Sequence, residues 1–588
     1  MVSRSSAKRT LNSTAKKVAR KAKQRSKLGG KAKGKASRQA KSGGLQTSEA
    51  DLETLSPRQK LVLERAAAAR RQETISFLTS VVLGCAFLGL LIGLLIDPKI
   101  GVAAGGGLLC LLVSFKYQRL ALYAFIVYLP FAGTVIYALG GSGILQIAKD
   151  VFYVPALIGV YQFCRKHKLP IILPKAIKPP LIFLLIIVAI TALLTNIPDQ
   201  IGQVDGKYPA IMAIWGFKLL FGYVPLVACI YYLIRNKEDL VGLLRLQAVL
   251  VLVACGLGLI QYGMLKTGIC AGTSGAGEEL FRASTGARCF VGGSLLYAPD
   301  QGQIRLPGTF VAPWQWGWFL ISAAFFSFGT TFSDKSTFWR TVGLVSLVAV
   351  MIMAVVSGQR IALVLVPSAV VLLTVITGQV ANLKRFMPIG IVLGIILSYL
   401  VVSNPAVVQS RVDSLYSRWE ASPPQQFIAE QFGQVWQEQR GIFGQGVGRA
   451  TNSARNFADT RLIETYHPKL IYELGPLGLI AALSVYTTLT VVTFKVYRST
   501  KDKNLRSYAA SMWVFIAFIS YCPYYYPLDV DPVGVYYWLA AGIVLKIPEL
   551  ERQEQEKAAA LAAAASGEVE VPTKKRRRSR LQEKPTFN

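Results

Sequence analysis

The sequence predicts an all-α, polytopic integral membrane protein, a bundle of about 12–14 transmembrane helices with a large, partly helical external loop. The chain of 588 residues is 52% hydrophobic and only 16% charged, with a mean hydropathy of +0.41, whereas soluble domains carry about 25% charged residues. Long, continuously apolar runs fill residues 76–548. A membrane barrel would instead need strands of alternating polarity, so the spans are predicted to be helices.

Each apolar run that can cross a bilayer core, at about 20 residues, is taken as a span. In chain order the predicted spans lie near 76–96, 99–115, 120–139, 143–164, 180–196, 209–233, 240–266, 311–331, 341–357, 361–379, 386–403, 471–494, 508–523 and 533–548. Ahead of them, Ser56 and Pro57 form a helix start, so 56–75 is predicted to be an amphipathic juxtamembrane helix. The first apolar run begins too far into the chain for a signal peptide, and none is predicted.

The distribution of Lys and Arg predicts the orientation of these spans. At least two basic residues occur in every predicted inner loop: 116–119, 165–178, 235–239, 333–340, 384–385 and 495–506. The short outer loops hold only Lys99, Lys207 and Arg360. Because cytoplasmic loops are enriched in Lys and Arg, the N-terminus is predicted to be cytoplasmic. An even number of spans returns the C-terminus to the same side.

The net charge of +33 is unevenly distributed, and the two low-complexity tails, 1–55 and 549–588, contain clusters of basic residues. Residues 1–42 contain fifteen Lys and Arg and no Asp or Glu, and the second tail contains a basic run at 574–580. Tails of this composition are typically disordered, and we expect them to bind anionic lipid head groups. Nucleic acid is the alternative partner, but no aromatic side chains interleave with the charges to stack on bases.

Two long loops, 268–310 and 404–470, fall on the predicted outer side. Long loops on a membrane scaffold are commonly functional. The first contains Cys270 and Cys289, which could form a disulfide in an oxidising compartment or remain as thiols. The other six Cys lie in or beside predicted spans.

Two residues at the outer face are candidates for chemistry. His467 lies where the second loop re-enters the membrane, and an imidazole is suited to proton transfer near neutral pH. A structural His at the interface is the alternative. Arg360 interrupts two spans, where a guanidinium is costly without a partner or a task. Its planar fork suits phosphate oxygens, and the alternative is a helix-end Arg that extends to the interface.

Further basic residues could attract an anionic ligand. Arg305 is predicted at the outer interface, and the second loop adds Arg411, Arg418, Arg440, Arg449, Arg455, Arg461 and Lys469. Pairing with the loop's own Asp and Glu is the alternative for most of them. The Gly-rich segment 441–448, with Gly446 and Gly448, could bring backbone amides to a phosphate or form a plain turn.

Three charged residues, Lys149, Asp150 and Lys218, fall within predicted spans, where they could form a buried pair or have a function. No His, Asp and Glu cluster has the spacing of metal ligands. We therefore expect neither a metal nor another cofactor.

Taken together, these segments resemble the O-antigen ligase / O-antigen polymerase family of bacterial polytopic membrane glycosyltransferases, most closely over 342–490. The matching motifs, in order, are Arg305-x-x-Gly308-Thr309-Phe310-x-x-Pro313, Ser357-Gly358-Gln359-Arg360, Arg418-Trp419, Gly444-x-Gly446-x-Gly448, His467 and Glu473-Leu474-Gly475-Pro476-Leu477-Gly478. Gln359 stands where the family usually has a small residue, and Pro468 where it commonly has Asn. By this resemblance, 76–341 and 491–548 are the flanking transmembrane regions.

The resemblance implies transfer of a glycan from an undecaprenyl-diphosphate carrier to a glycan or lipid acceptor, at the outer face of the bacterial cytoplasmic membrane. It implies a reaction without metal or nucleotide. Arg360, Arg418 and Arg305 would bind the diphosphate, and His467 would act as general base on the acceptor hydroxyl. Ligase and polymerase share these residues and differ in acceptor.

A membrane transporter of a small anion or solute, on the same scaffold, is the alternative function. Transporters commonly show internal repeats and sites near the bilayer midplane. No repeat between the two halves is evident here, and the candidate residues lie at the outer face.

Overall fold

The structure is a computed structural model. It describes residues 57–141, 145, 147–202, 206–273, 287–299, 303–379, 423–439, 441–455, 457–525 and 527–565, with scattered positions from 394 to 420. Of the two predicted tails, 1–55 and 566–588 lie outside this part of the chain, as does most of the predicted span 386–403.

The described residues are almost entirely helical, which confirms the predicted all-α class. The helices are α1 Pro57–Leu95, α2 Pro98–Lys116, α3 Gln118–Tyr128, α4 Ala132–Ala138, α5 Asp150–His167, α6 Lys178–Thr191, α7 Ile197–Gly202, α8 Pro209–Phe221, α9 Leu226–Leu233, α10 Lys237–Lys266, α11 Pro313–Ser333, α12 Thr337–Val356, α13 Arg360–Ile376, α14 Pro424–Glu438, α15 Tyr466–Ser499, α16 Lys503–Tyr521 and α17 Val533–Ala565. Two short strands, β1 Leu296–Ala298 and β2 Gln303–Arg305, pair antiparallel.

Nine helical segments in the described part of the chain are long and apolar enough to cross a membrane. They are Arg71–Leu95, Pro98–Lys116, Gln118–Ala138, Lys175–Gly202, Pro209–Leu233, Lys237–Lys266, Thr337–Val356, Tyr466–Ser499 and Val533–Ala562. The other predicted spans within the described residues also fall on helices, namely α5, α11, α13 and α16. These four are shorter or more polar than the nine and do not meet the same requirements of length and apolarity.

Two predicted boundaries differ from the observed helices. α1 is one unbroken helix of 39 residues, so the juxtamembrane segment and the first span are continuous. α17 extends to Ala565, so the first part of the predicted second tail prolongs the last span. The chain divides into two compact units, one of which ends within α1 at Gly84. All contacts below belong to the unit that begins at Cys85.

Helix α11 lies in the centre of the hydrophobic core. Nearly all of its residues are buried, including Trp316, Trp318 and four Phe. It contacts α10, α12, α13, α16 and α17. Its hydroxyl groups bond within the bundle, as Ser322 Oγ does to the carbonyl of Trp318 at 2.9 Å. Because neighbouring helices cover α11, it can carry more polar residues than a helix that faces lipid.

Loops predicted to share the inner side contact one another. Two ion pairs join such loops, Arg119–Asp239 at 3.0 Å and Lys237–Asp502 at 2.9 Å. A third pair, Arg245–Asp334 at 2.7 Å, joins the first part of a predicted span to an inner loop. These segments are far apart in sequence. Their pairing therefore supports the prediction that successive loops alternate between the two sides, and this support does not depend on the count of basic residues.

Segments predicted to share the outer side also contact one another. Three hydrogen bonds join them: Tyr208 N to Phe457 O at 2.6 Å, Thr134 N to Thr309 O at 3.1 Å and Leu306 N to Ser357 O at 3.0 Å. The first long loop therefore contacts the short segment that carries Arg360, and the second long loop contacts the short segment 196–208.

Cys270 and Cys289 form a disulfide, which is one of the two alternatives that the sequence leaves open. It closes a small apolar cluster of the first long loop, with Leu265, Leu295 and Leu306 at its centre. The segment from Cys289 to Leu306 is thereby attached to the end of α10, which fixes the approach of the chain to Arg305.

Candidate functional site

The segments that carry Arg305 and Arg360 meet directly. Arg305 is the last residue of β2, where it pairs with Leu296, and its side chain is exposed. The next residue, Leu306, donates its backbone N–H to the carbonyl of Ser357 at 3.0 Å. Arg360 begins α13 three residues after Ser357 and is half-buried. Two of the three predicted diphosphate-binding residues thus lie on neighbouring segments.

The turn after Arg305 is held tightly in place. Gly308 has a φ of +54°, and a Cβ there would overlap the ring of Trp316, so only glycine fits both the backbone angle and the space. Thr309 Oγ1 donates to the carbonyl of Pro130, and Thr309 O accepts from Thr134 N at 3.1 Å. The glycine and threonine of this motif therefore have structural roles that hold Arg305.

The Ser357–Arg360 turn rests on α11. Gly358 has a φ of +71°, which reverses the chain between α12 and α13. The side chain of Gln359 is buried against Gly317 of α11. The position of Arg360 is thus set by the glycine turn and by the contact of Gln359 with α11.

His467 lies in the first turn of α15, and one of its ring nitrogens is fixed. Tyr466 N donates to the carbonyl of Pro523 at 2.6 Å, and Thr465 pairs with Tyr524 in a short bridge. The imidazole hydrogen bonds to the backbone carbonyl of Ser520. His467 Nε2 is buried and has no hydrogen-bond partner, so the bond uses Nδ1. This arrangement fixes the tautomer with the proton on Nδ1 and leaves Nε2 able to accept a proton.

Helix α11 connects the two halves of the candidate site. Gly317 contacts Gln359, and the adjacent Trp318 donates from Nε1 to the carbonyl of Tyr525 at 3.2 Å. Tyr525 directly follows the segment 520–524, which bonds to Thr465, Tyr466 and His467. The turn that carries Arg360 and the segment that orients His467 are therefore both attached to the same end of α11.

A buried ion-pair cluster lies one turn further along α15. Lys469 Nζ contacts the carboxylate of Asp529 and lies 3.8 Å from Glu473 Oε1. Glu473 Oε1 also accepts from Ala450 N at 2.8 Å and from Thr451 Oγ1 at 3.0 Å. The cluster joins the start of α15 to the outer segments before and after it.

The amides of the Gly-rich segment bind groups of the protein itself. Gln445 N donates to Tyr472 O at 2.7 Å, Gly446 N to Glu473 O at 3.2 Å, and Val447 N to Asn196 Oδ1 at 2.8 Å. Gly448 has a φ of +83° and no room for a Cβ against α8. These contacts favour the plain-turn interpretation of Gly446 and Gly448, and they give Glu473 a structural role.

Several other charged residues are paired. Lys149 and Asp150 are adjacent in sequence, but each forms an ion pair with a distant residue. Lys149 contacts Asp531, and Asp150 contacts Lys218. In the second loop, Arg461 pairs with Glu438 at 2.8 Å, as the solvated-pair alternative predicts. Arg449 pairs with Asp199 of another outer segment. Arg411, Arg418 and Arg440 lie outside the described residues.

Sequence reasoning missed the segment 520–531. It supplies the carbonyl that binds His467, and both Asp529 and Asp531 pair with buried Lys residues. One signal in the sequence could have identified it: Asp529 and Asp531 lie in a short loop predicted on the outer side, and Lys149 and Lys469 lie near helix ends predicted on that side. For a metal, the described part of the chain offers no group of three or more His, Cys, Asp or Glu.

No family model matches the chain, and no curated protein shows significant similarity to it.

The Lys469 cluster leads to a prediction about stability. In Lys469→Met, two buried carboxylates lose their cation, and breaking a buried pair in this way costs about 3–5 kcal/mol. We expect a clearly lower melting temperature of the purified protein in detergent. The control is Arg461→Met, because its half-exposed pair with Glu438 is worth at most about 1 kcal/mol. Equal melting temperatures for the two variants would show that the cluster does not stabilise this face.

Proposed function

We propose that the chain is a membrane glycosyltransferase of the O-antigen ligase/polymerase type. It transfers a glycan from an undecaprenyl-diphosphate carrier to an acceptor hydroxyl at the outer face of the bacterial cytoplasmic membrane. One observation carries the proposal most strongly. Gln359, the neighbour of the half-buried Arg360, packs on Gly317 of α11, and the segment 520–525, which binds His467, bonds to the adjacent Trp318, while His467 Nε2 is buried without a partner. A cation for phosphate and a base for a hydroxyl are the two groups that this reaction needs.

The proposed reaction assigns a separate role to each group. Arg360 and Arg305 bind the diphosphate, together with Arg418 by the family resemblance, and offset the negative charge that develops on it. His467 Nε2 takes the proton of the acceptor hydroxyl. The hydroxyl oxygen bonds to the anomeric carbon as the bond from that carbon to the phosphate oxygen breaks, and undecaprenyl diphosphate leaves. Attack opposite the leaving group inverts the anomeric centre.

Two observations support the outer face as the site of this reaction. The Cys270–Cys289 disulfide belongs to the first long loop, and disulfides persist in oxidising compartments outside the cytoplasm. Both long loops also contact outer segments that are poor in Lys and Arg. With the basic termini in the cytoplasm, the donor glycan and the acceptor would meet on the side of His467.

A transporter of a small anion or solute remains the second candidate. The ion pairs Lys149–Asp531 and Lys218–Asp150 favour it, because ionisable residues within helix bundles often mark a solute or proton path. The unpartnered Nε2 of His467 at the predicted outer end of α15 favours the enzyme, because transporter substrate sites lie near the bilayer midplane.

The glycan profile of a deletion strain tests the proposal. We expect loss or shortening of a surface polysaccharide, restored by the wild-type chain. Full-length glycan retained on its lipid carrier would indicate a ligase, whereas single repeat units would indicate a polymerase. An unchanged profile, combined with a defect in uptake of an anionic solute, would reject the enzyme in favour of the transporter.

A further inference from the structure

Four buried polar side chains around the turn 306–310 each have an atom without a hydrogen-bond partner. They are Ser357 Oγ, Gln359 Nε2, Trp316 Nε1 and Gln261 Oε1. Three of these residues have no exposed surface, and Gln359 is 8% exposed. Native proteins satisfy most buried polar atoms, so four exceptions around one turn indicate a place where another molecule supplies the partners.

Contacts within the structure place these residues together. Ser357 O binds Leu306 N at 3.0 Å, and Trp316 packs against Gly308. Gln261 Nε2 donates to the carbonyls of Cys289 and Val291, in the loop that leads to this turn. Gln359 packs on Gly317, the residue after Trp316. The four side chains thus surround the junction where the segments that carry Arg305 and Arg360 meet.

The unpartnered atoms define the chemistry of the missing partner. The indole of Trp316 and the amide nitrogen of Gln359 only donate hydrogen bonds, and the hydroxyl of Ser357 can donate as well. A group that accepts several hydrogen bonds through oxygen atoms would satisfy these three side chains, whereas Gln261 Oε1 is itself an acceptor and would need a donor. Gln359 immediately precedes Arg360, so such a group would lie beside a guanidinium.

We propose that Gln359 and Ser357 form a hydrogen-bonding part of the donor site, beside Arg360, and bind an oxygen of the lipid-linked donor. This inference rests on the proposed glycosyltransferase function and goes beyond it by assigning Gln359 and Ser357 as donor-binding residues. The oxygen belongs either to the diphosphate or to the first sugar of the glycan.

The test is equilibrium binding of two probes to the purified full chain in detergent. The probes are undecaprenyl diphosphate and undecaprenyl diphosphate that carries N-acetylglucosamine. In Gln359→Leu we expect affinity to fall by about tenfold or more, the usual effect of losing a hydrogen bond to a charged group. Equal weakening of both probes would assign the oxygen to the diphosphate, and weakening of the glycosylated probe alone would assign it to the sugar.

Gln247→Leu is the matched control. Gln247 is also fully buried in α10, with an unpartnered Nε2, but it lies towards the opposite end of that helix from Gln261. Its replacement should leave the affinity for both probes unchanged. Ser357→Ala, a smaller change, should also weaken binding, and it carries the test if Gln359→Leu does not fold.

Two results would contradict the inference in distinguishable ways. In the first result, the wild type binds both probes and both variants, Gln359→Leu and Ser357→Ala, bind them equally well. This would overturn the assignment of these residues and leave the proposed function intact. Failure of the wild-type protein to bind either probe would reject the proposed function together with the inference.

Discussion

His467→Ala is expected to lower the rate of glycan transfer by about 10²–10⁴-fold, the usual contribution of a general base. The reason is the arrangement of the ring: Nδ1 donates to the carbonyl of Ser520, and Nε2 has no partner. Without the imidazole, the site loses the Nε2 atom that takes the proton of the acceptor in the proposed mechanism. The measurement is transfer by purified variants with a lipid-linked donor.

The chain offers a natural control for this prediction. His167 is the only other histidine, and it is exposed at the end of α5, in a loop predicted to be cytoplasmic. His167→Ala should transfer glycan like the wild type. Donor binding should also persist in His467→Ala, because the phosphate-binding role falls to Arg305 and Arg360. Retained transfer in a folded His467→Ala protein would remove His467 from the mechanism.

Arg360→Lys is expected to reduce transfer by about 10–100-fold. Lysine keeps the positive charge but loses the planar fork that binds two oxygens at once, and hydrogen bonds to charged groups are among the stronger ones in proteins. We expect the loss as a higher KM for the donor and a lower kcat, because the same contacts stabilise the leaving diphosphate.

Arg461→Lys controls for a general effect of replacing arginine on the outer side. Its pair with Glu438 is half-exposed and can be kept by lysine, so its kinetics should match the wild type. Near-normal kcat and KM in Arg360→Lys would argue that Arg360 does not bind the diphosphate through its fork.

The helices were predictable because length and continuous apolarity identify a helix that faces lipid. The same reasoning was weaker for α11 and α16, which are covered by neighbouring helices and therefore carry Ser, Thr and Tyr. For this reason α11 and α16 are not among the nine helices of the described part of the chain that meet the requirements of length and apolarity.

The candidate site was only partly predictable. Arg360 and His467 stood out because Arg360 interrupts two apolar spans and His467 lies where a long loop re-enters the membrane, and ionisable residues within spans are rare. The partners of Lys149 and Lys469 did not, because Asp531 and Asp529 lie far away in sequence and no local periodicity reports such a pair. The Gly-rich segment was ambiguous for the same reason, since only the fold brings the carbonyls of α15 to its amides.

The most direct test of the glycosyltransferase assignment is turnover of a lipid-linked oligosaccharide by the purified chain in proteoliposomes, with an acceptor glycan present. The account predicts release of undecaprenyl diphosphate, a product with an inverted anomeric centre, and a rate that His467→Ala removes while His167→Ala does not. Absence of donor turnover by the folded wild-type protein, or a product that retains the anomeric configuration, would contradict it.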